Sequence, residues 1–215
     1  MVIYTAIFGP KDELQEPNLP LPHDLVCYTD QDIKSSSWKI IRRKPARSDT
    51  RAEAKWYKMN PHILFPGEKT IWTDGNYKIF HDPVTVFQEK DISCAAFYHH
   101  ASRRCLYDEA DVCLERSAGD PKKIRAQISQ YMSEAFPRNY GLFQGNIIFR
   151  VPGEEQFLLN KYWQEEQKKF SNRDQISLPY VLWKYNLSVH IMTHKEKRNH
   201  FMKSGKHKFH GTRSY

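Results

Sequence analysis

Short apolar, β-branched runs recur along the chain and alternate with stretches in which apolar residues return every three or four positions, the pattern of a layered α/β domain. Residues 2–8 predict a first strand stopped by Gly9-Pro10, and Pro10, Pro17, Pro20 and Pro22 keep the stretch to Asp24 a loop. Residues 25–29, 38–41, 69–73, 92–97 and 146–151 predict further strands, with 187–191 closing the sheet. A helix opens at Asp49-Thr50-Arg51-Ala52-Glu53, because Thr50 can cap the backbone while Glu53 reaches back from three residues on; it ends near Asn60-Pro61. Asp82-Pro83 starts a short helix. Helical spacing also covers 107–114, 121–135 (with Ile124, Ile128, Tyr131 and Met132 on one face), 154–170, and 174–183, which Pro179 disturbs.

In such sheets ligands sit outside the carboxyl ends of the strands, where strand order reverses. With the first strands parallel, Thr5 to Gly9, the Tyr28-Thr29-Asp30 turn and Asp74-Gly75-Asn76 line one crevice. The longest apolar stretches, such as 180–183 and 147–149, fall far short of the ~20 residues a membrane span needs. Residues 1–8 carry neither a cationic leader nor a small-residue cleavage site, so a cytoplasmic product, or an excised domain, is expected. Cys27, Cys94, Cys105 and Cys113 lack metal-ligand spacing and are read as reduced thiols.

Charge changes this picture at one end. The 33 basic and 25 acidic side chains give a net charge of +8. Residues 190–215 hold seven Lys/Arg against Glu196 alone, a net +6, together with five of the ten histidines. Such a segment suits an anionic ligand such as nucleic acid, an acidic membrane surface or a nucleotide phosphate; a solvated tail is the alternative.

The most informative chemistry is Ile71-Trp72-Thr73-Asp74-Gly75-Asn76. An apolar strand that delivers an acid, a glycine and a second oxygen ligand can hold Mg²⁺ or Mn²⁺, which share oxygen ligands with phosphates. The same triplet is also an ordinary hairpin turn. Arg51 and Lys55, one turn apart on the preceding helix, face the crevice or only solvent. His99-His100 with Arg103, Arg104, Asp108 and Glu109 forms a polar cluster that either fixes a loop or meets substrate, and a zinc site using Cys105 is poorly spaced. Trp72, Trp163 and Trp183 are read as core.

Several ordered motifs carry a resemblance over about residues 2 to 185. They are Tyr4-Thr5-Ala6-Ile7-Phe8-Gly9, Cys27-Tyr28-Thr29-Asp30, Asn60-Pro61-His62-Ile63-Leu64-Phe65-Pro66 and Ile71-Trp72-Thr73-Asp74-Gly75-Asn76. Arg104-Cys105-Leu106-Tyr107-Asp108-Glu109-Ala110, Gly141-Leu142-Phe143, Arg173-Asp174-Gln175 and Tyr180-Val181-Leu182-Trp183-Lys184 follow. Together they resemble the hexosyltransferase-like domain of plant mucilage and pectin biosynthesis, and most closely a virus-encoded glycosyltransferase domain. That resemblance implies one GT-A-like domain over 1–191, with a central mixed, mostly parallel sheet flanked by helices. Its nucleotide-binding half spans about 1–80 and its sugar and acceptor half about 81–191; 192–215 is a basic tail able to act as a lid.

The resemblance further implies a retaining transferase that uses a UDP-sugar donor, Mn²⁺ or Mg²⁺, and a saccharide acceptor, as a monomer with no nucleic-acid partner. Asp74 and Asn76 would hold the ion, with Gly75 between them, although Asn76 stands where an Asp-x-Asp motif has its second acid. His210 is the first choice for a further ligand and His207 the second. Thr5, Ala6, Phe8 and Gly9 resemble the uracil and ribose pocket, Asp30 offers it a carboxylate, and Arg51 and Lys55 serve the diphosphate. Gln144 and Asn146 are candidates for donor-sugar hydroxyls. Asp174, as general base in an inverting enzyme, or Asp174 or Gln175, steadying an oxocarbenium-like centre in a retaining one, would act at the anomeric carbon. A nucleic-acid-binding module and a metal-dependent phosphodiesterase or nuclease are the competing readings, separable by salt dependence and by the need for a sugar donor.

Overall fold

The first apolar run becomes β1 (Val2–Ile7), buried along its whole length as a central parallel strand must be. In the computed structural model, which describes residues 1–10 and 12–204, it is followed by β2 (Asp24–Thr29), β3 (Lys39–Arg42), α1 (Thr50–Met59), α2 (Pro61–Leu64), β4 (Thr70–Thr73), β5 (Tyr77–Ile79) and α3 (Val86–Glu89). Then come β6 (Ala95–His99), α4 (Leu106–Glu115), α5 (Pro121–Ser133), β7 (Phe143–Arg150), α6 (Glu154–Lys169) and α7 (Asp174–Lys184). β8 (His190–Met192), α8 (His194–His200) and β9 (Phe201–Lys203) complete the described chain. The fold is α/β, with a central, mixed, mostly parallel sheet of seven strands flanked by helices and a separate two-stranded sheet of β5 and β9. Packing divides the chain into two units, Met1–Asp91 with the segment from Lys195 onward, and Ile92–His194.

In the first unit the strand order is β3-β2-β1-β4, and β1 pairs in parallel with both β2 and β4. The carboxyl ends of β1, β2 and β4 therefore open on the same edge, as expected for a ligand crevice. β1 and β2 are joined by the proline-containing loop rather than by a helix. An aromatic cluster fills the core below that edge: Tyr4 meets Phe65 and Trp72 edge-on at 5.1 and 5.2 Å, and Tyr57 of α1 packs on Phe8 and Tyr28. The cap of α1 differs from expectation. Asp49, in extended backbone, is the N-cap and accepts from Arg51 N at 2.8 Å; its carboxylate suits the positive end of the helix better than the Thr50 hydroxyl. Glu53 turns instead to Arg47, accepting from its backbone N at 3.1 Å and its guanidinium at 2.9 Å.

In the second unit β6 lies between β7, antiparallel, and β8, parallel. Phe97 of β6 meets Trp163 of α6 edge-on at 5.8 Å in a core that includes Ile147, Leu159 and Leu178. The buried face of α5 keeps Ile124 and Tyr131 as predicted, with Ile128 partly covered, but takes Gln127 in place of Met132. Met132 is 57% exposed, and Gln127 is fully buried because Ser171 donates to its Oε1 and its own Nε2 donates to Tyr131 Oη. α7 runs through Pro179 without ending. The four cysteines are free and buried, and burial pushes the Cys27 thiol up to about 12, an inert core thiol.

The segment read as a basic tail carries regular structure as far as it is described. α8 is clipped to the body by a Lys90–Glu196 ion pair at 2.8 Å, and β9 pairs antiparallel with β5, Tyr77 facing Lys203 and Ile79 facing Phe201. No helix among the described residues is long and apolar enough to cross a membrane.

Candidate functional site

β4 ends at Thr73, and the chain turns through Asp74-Gly75-Asn76, with Tyr77 N donating to Asp74 O at 3.0 Å. This turn is not a hairpin: β4 belongs to the central sheet, whereas β5 pairs with β9. A Cβ on Gly75 would lie 2.5 Å from Ile7 Cδ1 and 2.7 Å from Ile7 Cγ1, so the turn rests directly on the end of β1 and needs a residue without a side chain. Trp72 Nε1 donates to Asp74 Oδ1 at 2.9 Å and fixes that carboxylate. Asn76 is 5% exposed, and its Oδ1 is buried with no hydrogen-bond partner. Leaving such an oxygen unsatisfied costs about 1–3 kcal/mol, a cost that a bound cation or donor would remove.

One carboxylate and one orphaned amide oxygen are hard donors of the kind Mg²⁺ and Mn²⁺ take together with phosphate oxygens and water, so the residues present fit such an ion. Among the described residues no group of three or more His, Cys, Asp or Glu assembles around a point. His210 and His207 lie outside the described residues.

The end of β1 supplies the rest of this edge. Thr5 is fully buried with an unpartnered Oγ1, and Ala6 pairs with Tyr28 in the β1–β2 ladder. Phe8 is stacked on Tyr57 at 5.2 Å and belongs to the aromatic core. Gly9 adopts φ +69°, a left-handed conformation natural to glycine; its N–H donates to Asp30 Oδ1 and Oδ2 at 3.0 and 3.3 Å, and its carbonyl accepts from Gln31 Nε2. Asp30 thus ties the ends of β1 and β2 together. Thr50 stands 3.1 Å from where a Cβ on Gly9 would be, which brings the first turn of α1 onto the same edge. On that helix Arg51 is exposed and Lys55 partly so.

Sequence reasoning missed one member of this neighbourhood. Lys197 of α8 is 2% exposed; its Nζ donates to Tyr77 Oη at 2.9 Å and sits 4.4 Å above the Tyr77 ring. Burial brings its pKa down to about 8, against the opposing pull of the Asp74 carboxylate. Ser204 N donates to Asn76 O at 2.8 Å, so the C-terminal segment is stitched to the turn itself. A lysine in a polar, histidine-rich stretch carries no sequence signal of burial.

In the second unit Asp174 and Gln175 open α7, both partly exposed. Asp174 O accepts from Trp163 Nε1 at 3.2 Å, which fixes this turn against α6. Arg173, just before the helix, reaches Glu109 Oε1 at 3.6 Å, while Arg103 Nε donates to Glu109 Oε2 at 2.8 Å. Glu109 is 2% exposed, so this is a buried carboxylate shared by two guanidiniums rather than the solvated loop pair weighed from the sequence. His100 Nδ1 accepts from the backbone N of Arg103 at 3.0 Å, and Arg104 is exposed. Burial pulls the His99 pKa down, with the nearby Arg104 acting in the same direction. Gln144, 8% exposed and opposite Tyr98, and Asn146, partly exposed, lie on β7. Trp72 and Trp163 are core, and Trp183 packs edge-on to Phe136 at 5.4 Å.

Comparison with known proteins bears on what this arrangement does. The sequence is 23% identical to the "Probable hexosyltransferase MUCI70" of Arabidopsis thaliana, in an alignment that covers 93% of this chain. The chain spans about 40% of that relative's length. The family model of the TOD1/MUCI70, glycosyltransferase-like domain matches residues 23–207, from the start of the second strand to beyond the last described one. With most of its length matched, the chain belongs to the TOD1/MUCI70 glycosyltransferase-like domain family.

Proposed function

We propose that this glycosyltransferase domain transfers a hexosyl group from a UDP-sugar to a saccharide acceptor, with retention of configuration and with a divalent ion at Asp74-Gly75-Asn76. The observation that carries the reading is the turn after β4: a carboxylate pinned by Trp72 and a buried amide oxygen without a partner, set on the end of β1 at the carboxyl edge of parallel strands. Asp74 and Asn76 would hold Mn²⁺ or Mg²⁺, which when bound offsets the charge gathering on the diphosphate as the sugar–phosphate bond breaks.

The chain's own residues do the remaining work in this reading. Thr5 and Ala6 form the floor nearest the base, with Phe8 behind them in the aromatic core rather than in contact with it, and Gly9 with Asp30 keeps the ends of β1 and β2 in place. Arg51 and Lys55 add positive charge for the phosphates. Gln144 and Asn146 meet hydroxyls of the donor sugar. Asp174 or Gln175 steadies the oxocarbenium-like anomeric carbon, while the departing phosphate oxygen takes the acceptor's hydroxyl proton.

Calorimetric titration with UDP, GDP and CMP, with and without Mn²⁺, tests the reading. UDP should bind only with the ion present, and Asp74→Ala should abolish that binding. Failure of UDP to bind with Mn²⁺, or equal binding without it, refutes the proposal. Asp174→Asn should reduce turnover far more than UDP affinity.

A further inference from the structure

The turn that carries Asp74 and Asn76 is held from two sides. β4 delivers it from the central sheet, and the C-terminal segment closes over its far end through Ser204 N to Asn76 O at 2.8 Å, the β5–β9 ladder, and Phe80 N to His200 O at 2.8 Å. That segment brings a cation into the interior. Lys197 is 2% exposed, anchored by Tyr77 Oη at 2.9 Å, with the Tyr77 ring beneath its ammonium and the Asp74 carboxylate acting on it as the opposing charge.

Burying an ammonium is expensive, and a hydrophobic side chain of the same volume generally gives a more stable interior. The charge therefore calls for a role beyond packing. Its effect follows from a charge count at the turn: Asp74 and Asp12, whose Cβ lies 3.6 Å from the Gly75 Cβ position, contribute −1 each, Lys197 and Lys203, a like charge acting on Lys197, +1 each, and Asn76 nothing. A turn of zero net charge gives a divalent ion little reason to enter alone. A nucleoside diphosphate that arrives with the ion supplies the missing negative charge, and the fixed ammonium then favours the pair.

We propose that Lys197 couples the two binding events at this turn, disfavouring the divalent ion by itself and favouring it once a diphosphate is present. This rests on the UDP-sugar reading above and deepens it. Lys197 acts through its field on Asp74 and on the bound anion; at 2% exposure it is a positioning charge and touches no reacting atom.

The test compares wild type with Lys197→Met, Lys197→Gln and Lys197→Arg. Mn²⁺ binding without nucleotide is followed by loss of the free-ion electron paramagnetic resonance signal, and UDP and uridine binding in saturating Mn²⁺ by calorimetry. Lys197→Met should bind Mn²⁺ alone about tenfold more tightly and UDP about tenfold more weakly, the scale of one unit charge acting across a protein interior. Uridine affinity should not change, because uridine carries no phosphate, and Lys197→Arg should behave as wild type. Lys197→Gln provides the same readout should the methionine variant not fold. Mn²⁺ affinity within twofold of wild type in the neutral variants, or equal losses for UDP and uridine, overturns the proposal. A wild type that binds no UDP even with Mn²⁺ removes the nucleotide reading instead, and the Mn²⁺-only arm still decides whether Lys197 opposes the lone ion.

Discussion

Replacing Lys197 by methionine should make the protein more stable at neutral pH, and the size of the gain can be worked from the site. The side chain is 2% exposed and its pKa falls from 10.5 to about 8 on folding. Holding the charged form in the folded state therefore costs about 3 kcal/mol. Losing the hydrogen bond to Tyr77 Oη returns about 1 kcal/mol of that, so Lys197→Met should gain about 2 kcal/mol at pH 7. The sign with pH is fixed by linkage: between about 8 and 10.5 the unfolded chain binds a proton that the folded one has released, so wild-type stability rises through that window. Urea denaturation of both proteins at pH 7 and pH 9.5 is the assay. The wild type should gain about 2 kcal/mol relative to the variant between these values. A variant less stable than wild type at pH 7, or a difference unchanged across the window, would show that the ammonium is well satisfied and refute the reasoning.

Other perturbations have equally definite outcomes. Gly75→Ala forces a methyl against Ile7 and should cost about 1–3 kcal/mol in urea denaturation; in an Ile7→Ala background that cost should largely vanish, and a penalty of the same size in both backgrounds would contradict the contact. Glu109→Gln removes the carboxylate that Arg103 and Arg173 share, and because both guanidiniums are partly exposed and Arg173 keeps Asp174 nearby it should destabilise by about 1–3 kcal/mol, whereas a change below about 0.5 kcal/mol would show the cluster to be solvated. Tyr180 and Lys184 donate to Glu134 and hold its carboxyl at about 2. Its folded-state pKa lies below the unfolded value, so its contribution is complete above about pH 4.5 and disappears as pH falls toward 2; Glu134→Gln should flatten the acid limb of the urea-midpoint profile there.

Much of the fold was legible because local and tertiary signals agree. The run at residues 2–8 is apolar at nearly every position, which suits a strand buried on both faces, and Asp82 followed by Pro83 caps a short helix as read. The misreadings arise where a tertiary partner outbids a local one. Glu53 was assigned to the helix cap but found Arg47, and Gln127, polar and helical, is buried in place of Met132 because Ser171 and Tyr131 satisfy both ends of its amide. The Asp74 turn was recognisable from three adjacent residues, yet those residues alone could not distinguish a hairpin from an exit out of the central sheet. What decides it is β9, more than a hundred positions away. His194–His200 has no apolar face to announce a helix; Phe201, 1% exposed, and the buried Lys197 anchor it only when Tyr77 and Ile79 are already in place.

The small β5–β9 ribbon also has a temporal consequence. Lys197 and Tyr77 are 120 positions apart, and pairing so distant in the chain is slow to form and comes late. On the ribosome, Asp74 is made early but waits through the synthesis of all of α4 to α7 before its covering strand emerges. Nascent chains arrested short of Phe201 should therefore expose an unclosed turn to proteases and chaperones, and competence should appear abruptly as β9 leaves the exit tunnel.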